Sequence, residues 1–215
     1  RDVGDVGWVS PIAGTNFGST LSFPASGPLG TYLAAHGGQL ASGSCKGSLC
    51  PTGSSANDSI ALHLVLRVPT NAQGFSFSFR FFSSEYQSFQ CTSYNDHFLA
   101  LLNSAGPYIP ADHNISFDAL GQPVSVNNAF FQDCGGNGMN CGACPYGTSA
   151  LAGTGFDQVN GGATEWLTTT APVIPGELIN LDLMVFDVGD NHYDSLVLLD
   201  DFRWSTTPVT LGTTQ

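Results

Sequence analysis

The stretch GFSFSFRFF, residues 74–82, places phenylalanine at 75, 77, 79 and 81 and serine or arginine at 76, 78 and 80. A period of two puts every ring on one face of an extended strand; a helix would scatter the same rings around its axis. The flanking sequence repeats the pattern. In SIALHLVLRVP, residues 59–69, Ile60, Leu62, Leu64, Leu66 and Val68 share a face. DHFLALLN (96–103), QPVSVNN (122–128), TEWLTTTAPV (164–173) and LINLDLMVFD (178–187) read as further strands. DSLVLLDDFRW (194–204) reads as a late, central strand with Leu196, Leu198, Phe202 and Trp204 on one side. PTNAQG, IPGE and VGDN supply the turns between them. Only LGTYLAAHGGQLA, residues 29–41, has a helical character. Many short strands joined by Gly, Pro and Asn predict an all-β sandwich of jelly-roll type with disulfide-bonded loops. Residues 1–204 read as a single domain, and the polar 205–215 as a tail or linker.

Of the 215 residues, 42% are apolar, enough for a sizeable core. Only 10% are charged, and the net charge is −12. That balance excludes nucleic acid and anionic membrane surfaces as partners and suits cations, basic partners or neutral sugars. No apolar run is long enough to insert into a bilayer. The chain starts at Arg1 without a Met or a signal segment, and it carries six cysteines. The expectation is a mature or excised part of an exported protein, secreted or held at the cell surface. Cys45 and Cys50, in CKGSLC, invite a local bridge. Cys91, Cys134, Cys141 and Cys144 then leave one long-range and one local bridge, although six cysteines allow many pairings. A zinc site from Cys134, Cys141, Cys144 and a histidine is the weaker alternative, since a lone C-x-x-C has no second pair beside it.

Two acidic clusters stand beside apolar strands. SSEYQSFQCTSYNDHF carries Glu85, Asn95 and Asp96. FDVGDNHYDS carries Asp187, Asp190, Asn191 and Asp194. Calcium takes six to eight oxygens and tolerates irregular loops, and Gly189 frees the backbone to turn. Asp200 and Asp201 are adjacent in a strand, so one of the two must point inward or toward an edge, and an inward carboxylate needs a partner. The predicted ligand set is Glu85, Asn95, Asp96, Asp187, Asp190, Asp194 and Asp201, with calcium as the cofactor. The alternative is that these acids are solvated turn residues and bind nothing.

The segments FSFRFFSSEYQSF, YNDHFLALL, NISFDALGQPVSVNN and GGATEWLTTTAPVIPGELINLDLMVFDVGDNHYDSLVLLDDFRW follow one another between Phe75 and Trp204. In that order they resemble the choice-of-anchor L domain of bacterial, often myxobacterial, exported and surface proteins. S-E-Y…N-D-x-F and D-x-G-D-x-x-x-D-S are the most specific elements. The resemblance implies an extracellular β-rich module and carries no catalytic residues. The Cys-rich insert QDCGGNGMNCGACPYGTSA belongs to a subset of such sequences.

No nucleophile elbow, metalloprotease or phosphate-loop motif is present. Only three glutamates occur, Glu85, Glu165 and Glu177. The reading is therefore a non-catalytic extracellular binding or adhesion module, carbohydrate-binding and stabilised by calcium. Its partners would be an extracellular glycan or a surface protein. Tyr86, Tyr94 and Tyr193, with His192, are the leading ligand residues; Tyr108, Tyr146 and Trp166 could also stack on sugars. Trp204 reads as core, and Trp8 has the same option. Two alternatives stand beside this: a self-associating subunit of an extracellular fibre or coat, and a glycan-active hydrolase using Glu85.

Overall fold

The computed structural model describes residues 27–45, 48–53, 56–128, 130–135, 144–157, 160–189 and 193–215. The Cys-rich residues 136–143 and the acidic residues 190–192 lie outside them, as does Trp8. The elements are α1 (Gly27–Ala35), β1 (Ser44–Cys45), β2 (Ser48–Leu49), β3 (Ala56–Arg67), β4 (Gly74–Ser83) and α2 (Tyr86–Phe89). They continue with β5 (His97–Asn103), β6 (Val124–Ser125), β7 (Phe131–Cys134), a 3-10 turn (Ser149–Leu151) and β8 (Gly162–Thr164). The chain closes with β9 (Leu167–Pro172), β10 (Leu178–Val188), β11 (Ser195–Ser205) and β12 (Gly212–Thr214).

Two antiparallel sheets form a sandwich. The first has the order β3-β10-β5-β6. The second is built on β4, with β11 along one side and β9 followed by β8 along the other. The alternation in 74–82 decides what lies between them. Phe75, Phe77, Phe79 and Phe81 are all buried in the main core. They meet Phe98, Ala100 and Leu102 of β5 and Ile179, Leu181 and Leu183 of β10. Phe79 and Phe98 touch across the sheets, with ring centroids 4.5 Å apart. Each buried ring contributes about 2–3 kcal/mol. On the opposite face of β4, Arg80 is anchored by Asp133 at 2.7 Å and by the Thr164 carbonyl at 2.8 Å, and it lies over the Phe82 ring.

The outer face of the first sheet has its own core. Leu29, Tyr32 and Leu33 of α1 cover Leu99, Leu101, Phe186 and Val188. The helical character of 29–41 thus serves to cap a sheet that is apolar on both sides.

Several expectations are corrected. β11 pairs only with β4 among the described residues, so it is an edge strand rather than a central one. Its face pattern also breaks. Asp201 and Phe202 together oppose the single residue Phe77, which is a β-bulge, and Asp201 takes φ +54°. Beyond the bulge the parity flips: Trp204 joins Val197 against the main core, whereas Leu196 and Leu198 pack with Phe82 and Phe156 on the other side. The bulge leaves both Asp200 and Asp201 exposed, so neither points inward. The polar tail does not trail away, because Gly212–Thr214 pairs with β9 as β12.

The bridge expected between Cys45 and Cys50 does not form; Cys50 bonds Cys91 across 41 residues, and Cys134 bonds Cys144. The first bond ties the entry to β3 to the approach to β5. A loop of that length implies about 4 kcal/mol of stabilisation. Replacing Cys50 and Cys91 together by Ser should lower the unfolding free energy by about that amount in denaturant titrations; a loss below about 1 kcal/mol would show that the bond constrains little.

Candidate metal centre

The crossing from β10 to β11 carries the chain from one sheet to the other. Antiparallel pairing brings the start of β3, the end of β4, the start of β5, the end of β10 and the start of β11 to that same end of the sandwich. Each of these segments contributes an acid. Gly189, at φ +98°, makes the exit from β10 possible; a Cβ there would sit 2.8 Å from the Tyr94 ring.

Asp58, Asp187 and Asp194 offer carboxylate oxygens that all lie within 4.8 Å of one another. Asp58 reaches this position through a second β-bulge. Asp58 and Ser59 together oppose Phe186, and Asp58 adopts φ +48°, a conformation Asp tolerates better than most residues. Asp187 is 5% exposed, and its Oδ2 has no hydrogen-bond partner. Neither oxygen of Asp58 has one either.

Behind this triad runs a chain of buried carboxyls. Asp96, fully buried, accepts from the Val188 amide at 3.0 Å and from the Ser195 hydroxyl at 2.6 Å. It is also hydrogen-bonded to Glu85 on one side and Asp187 on the other. Two carboxyls can share such a bond only if one holds a proton. Burial, followed by the charges of Asp96, Asp194 and Asp58, drives Asp187 far above the carboxylate range. Burial pushes Asp96 up to about 7 against the pull of its donors, and burial and Asp58 push Asp194 up to about 6. The described cations are engaged elsewhere: Arg67 with the Gly176 carbonyl, Arg80 with Asp133 and Arg203 with Asp201. His97, next to Asp96, is fully buried and held down to about 4, mainly by desolvation, so it brings no charge at neutral pH.

Of the predicted ligands, the fold brings Glu85, Asp96, Asp187 and Asp194 into one connected group. Glu85 reaches it from the N-cap of α2, where its side chain makes no capping bond. Asn95 is placed apart: its Oδ1 accepts from the Asn127 amide at 2.8 Å, and Asn127 in turn receives the Cys91 amide. Asn95 therefore braces the loops around the Cys50–Cys91 bond. Asp201 is also apart, exposed and paired with Arg203. Asp190, Asn191 and His192 lie outside the described residues, as does Cys141. Asp58 escaped the sequence reading because the alternation of β3 was followed only from Ser59; the Asn-Asp pair before it was the available signal.

The aromatic candidates divide. Tyr86 is a core residue, 1% exposed and stacked on Phe131 at 4.5 Å, and it offers a ligand no surface. Tyr94 and Tyr193 are half-buried and pack on Phe89, at 5.4 and 5.5 Å, beside the carboxylates. Tyr108, Tyr146 and Trp166 are exposed, and Trp204 is packed against the core.

The family model for the Choice-of-anchor L domain matches residues 51–202, which span β3 to the bulge of β11. The chain belongs to that family. Comparison with curated proteins and with solved structures gives no match. The matched span contains every acid of the cluster, from Asp58 to Asp194. Choice-of-anchor L is a non-catalytic surface domain, and the family together with the disulfides points to an extracellular or cell-surface protein. No helix among the described residues is long and apolar enough to cross a membrane.

The raised carboxyls fix the sign of a pH effect. In a chelator, the folded state keeps protons on Asp194, Asp96 and Asp187 that the unfolded chain releases above about pH 4. The stability they give is complete below that pH and is lost as pH climbs through about 6, about 7 and beyond. The melting temperature of chelated protein should therefore fall steadily from pH 5 to pH 9. Asp187→Asn, which carries no titrating proton, should flatten the slope. A chelated protein that melts higher at pH 9 than at pH 5 would contradict the buried carboxyl chain.

Proposed function

We propose that this domain is a non-catalytic extracellular binding and adhesion module whose loop end is locked by calcium held between Asp58, Asp187 and Asp194. The observation that carries the reading is the buried Asp187, whose Oδ2 has no partner and whose carboxylate offers an oxygen within 4.8 Å of oxygens of Asp58 and Asp194. Leaving a buried acceptor unsatisfied costs about 1–3 kcal/mol, and more when it is charged. Three carboxylates with no nitrogen or sulfur donor among them form a hard-oxygen set, which suits calcium and not zinc. The cation would replace the shared protons and join β3, β10 and β11, the strands on either side of the sheet crossing. The expected partner is an extracellular glycan or a surface protein. The hydrolase alternative finds little support. Glu85, its proposed acid, is 1% exposed and bound to Asp96, whereas a glycosidase needs two carboxyls facing its substrate.

Calcium at about a hundred times its dissociation constant should raise the melting temperature of chelated protein by about 5–10 °C. The rise should vanish in Asp58→Ala and Asp187→Ala and persist in Asp201→Ala. An unchanged melting point in the unsubstituted domain, or a full response in Asp187→Ala, would reject the site.

A second reading is favoured by one feature. β3 ends its sheet among the described residues, and Ile60, Leu62 and Val65 on it are exposed at 67%, 46% and 55%. Such an edge can pair with another chain, which would make the domain self-associating. Sedimentation should then show dimers or larger species that Leu62→Lys disperses. A monomer at all concentrations would end this reading.

A further inference from the structure

The outer face of the first sheet changes character halfway along. At the end near the acids it is apolar and covered by α1. One residue pair further along, the rows become polar: His63 stands beside Asp182, and Asn180 beside Asn103. A cavity of about 400 Å³ opens there, within the range of small-molecule sites; these four side chains line it with Leu101 and His113, and the first turn of α1, with Thr31, closes one wall.

The hydrogen bonds define what this cavity presents. His63 Nδ1 lies 2.7 Å from Asp182 Oδ1, and Asp182 is only 7% exposed. His113 Nδ1 lies 3.0 Å from the Leu102 carbonyl oxygen. Carboxylates and carbonyls only accept, so both imidazoles carry a proton on Nδ1, and in its neutral form each ring leaves Nε2 as an acceptor. Among the described residues, the amides of Asn103 and Asn180 have no partner. The cavity thus offers two ring-nitrogen acceptors, a second carboxylate oxygen and two amides that both donate and accept. No Lys or Arg among the described residues lines it. Leu101 gives it an apolar floor, and the exposed Val65 and Leu178 lie alongside.

We infer that this cavity is a sugar-binding site of monosaccharide size, recognising a neutral ring through His63, Asn103, His113, Asn180 and Asp182. An anion meets acceptors and a net charge of −12. An ammonium group would satisfy the acceptors but leave the amide N–H groups idle. Sugar hydroxyls donate and accept together, and the C–H face of the ring suits Leu101. A metal is disfavoured, because the described residues here do not form a cluster of three ligating atoms. This inference rests on reading the domain as a binding module; it does not rest on the calcium site, which lies at the other end of β10.

The test uses the whole chain, isotope-labelled and held in calcium, titrated with the methyl glycosides of glucose, galactose, mannose and N-acetylglucosamine at millimolar concentration. At least one sugar should shift the imidazole resonances of both His63 and His113. Replacing Asn103 and Asn180 by Ala should weaken that sugar at least about tenfold without lowering the melting point. If that variant fails to fold, the imidazole shifts of the unsubstituted protein decide alone. No imidazole shift with any of the four sugars would overturn the site. A sugar that shifts resonances only elsewhere would overturn this cavity while leaving the domain a glycan-binding module. Affinity unchanged in a folded double variant would overturn it as well.

Discussion

The phenylalanine row of β4 is the constraint on which the other features depend. Four rings on one side of one strand must be covered along its whole length, and only a second sheet supplies a matching surface. The contact of Phe79 with Phe98 sets β5 opposite β4, and β10 follows by pairing with β5. Once those strands are in register, their ends are in register too. The acids that follow or precede the apolar runs are then carried to the same place, whatever they would prefer electrostatically.

This explains why so many carboxyls are crowded with so little positive charge nearby. Packing apolar strands yields kcal/mol per ring, whereas the cost of the acids can be deferred by sharing protons or by admitting a cation. Glu85, Asp96 and Asp187 form the deferred part, linked through hydrogen bonds. Asp58 and Asp194 are half-buried residues, but both carboxylate oxygens of Asp58 are closed to solvent, so the triad they form with Asp187 is an enclosed end of that chain. A calcium ion there would convert a liability of the sheet crossing into a fastening between the two sheets.

Two aspartates solve two different problems by the same local device. Asp58 and Asp201 both sit in β-bulges with positive φ. At Asp58 the bulge adds an acid to the cluster. At Asp201 it lets two adjacent acids stay in solvent, one of them paired with Arg203, while Trp204 returns to the core. The outer face of the first sheet divides in a similar way, with apolar rows under α1 and polar rows open at the cavity.

The sequence by itself determined the long strands, the sandwich and most of the acids that meet, because period-two burial and turn residues are local signals. It also sufficed for family membership, through motifs that span β4 to β11. It did not determine the cysteine pairing, since Cys50 reaches Cys91 only after β3 and β5 are placed. Nor did it show Asp58 joining, Asn95 and Asp201 standing apart, or Tyr86 buried on Phe131. Bulges shift the parity of a strand by one residue, and their positions follow from pairing with a distant partner. The same is true of His63 and Asp182, 119 residues apart and 2.7 Å from each other. Only the register of β3 against β10 makes them neighbours, and register is a property of the packed sheets.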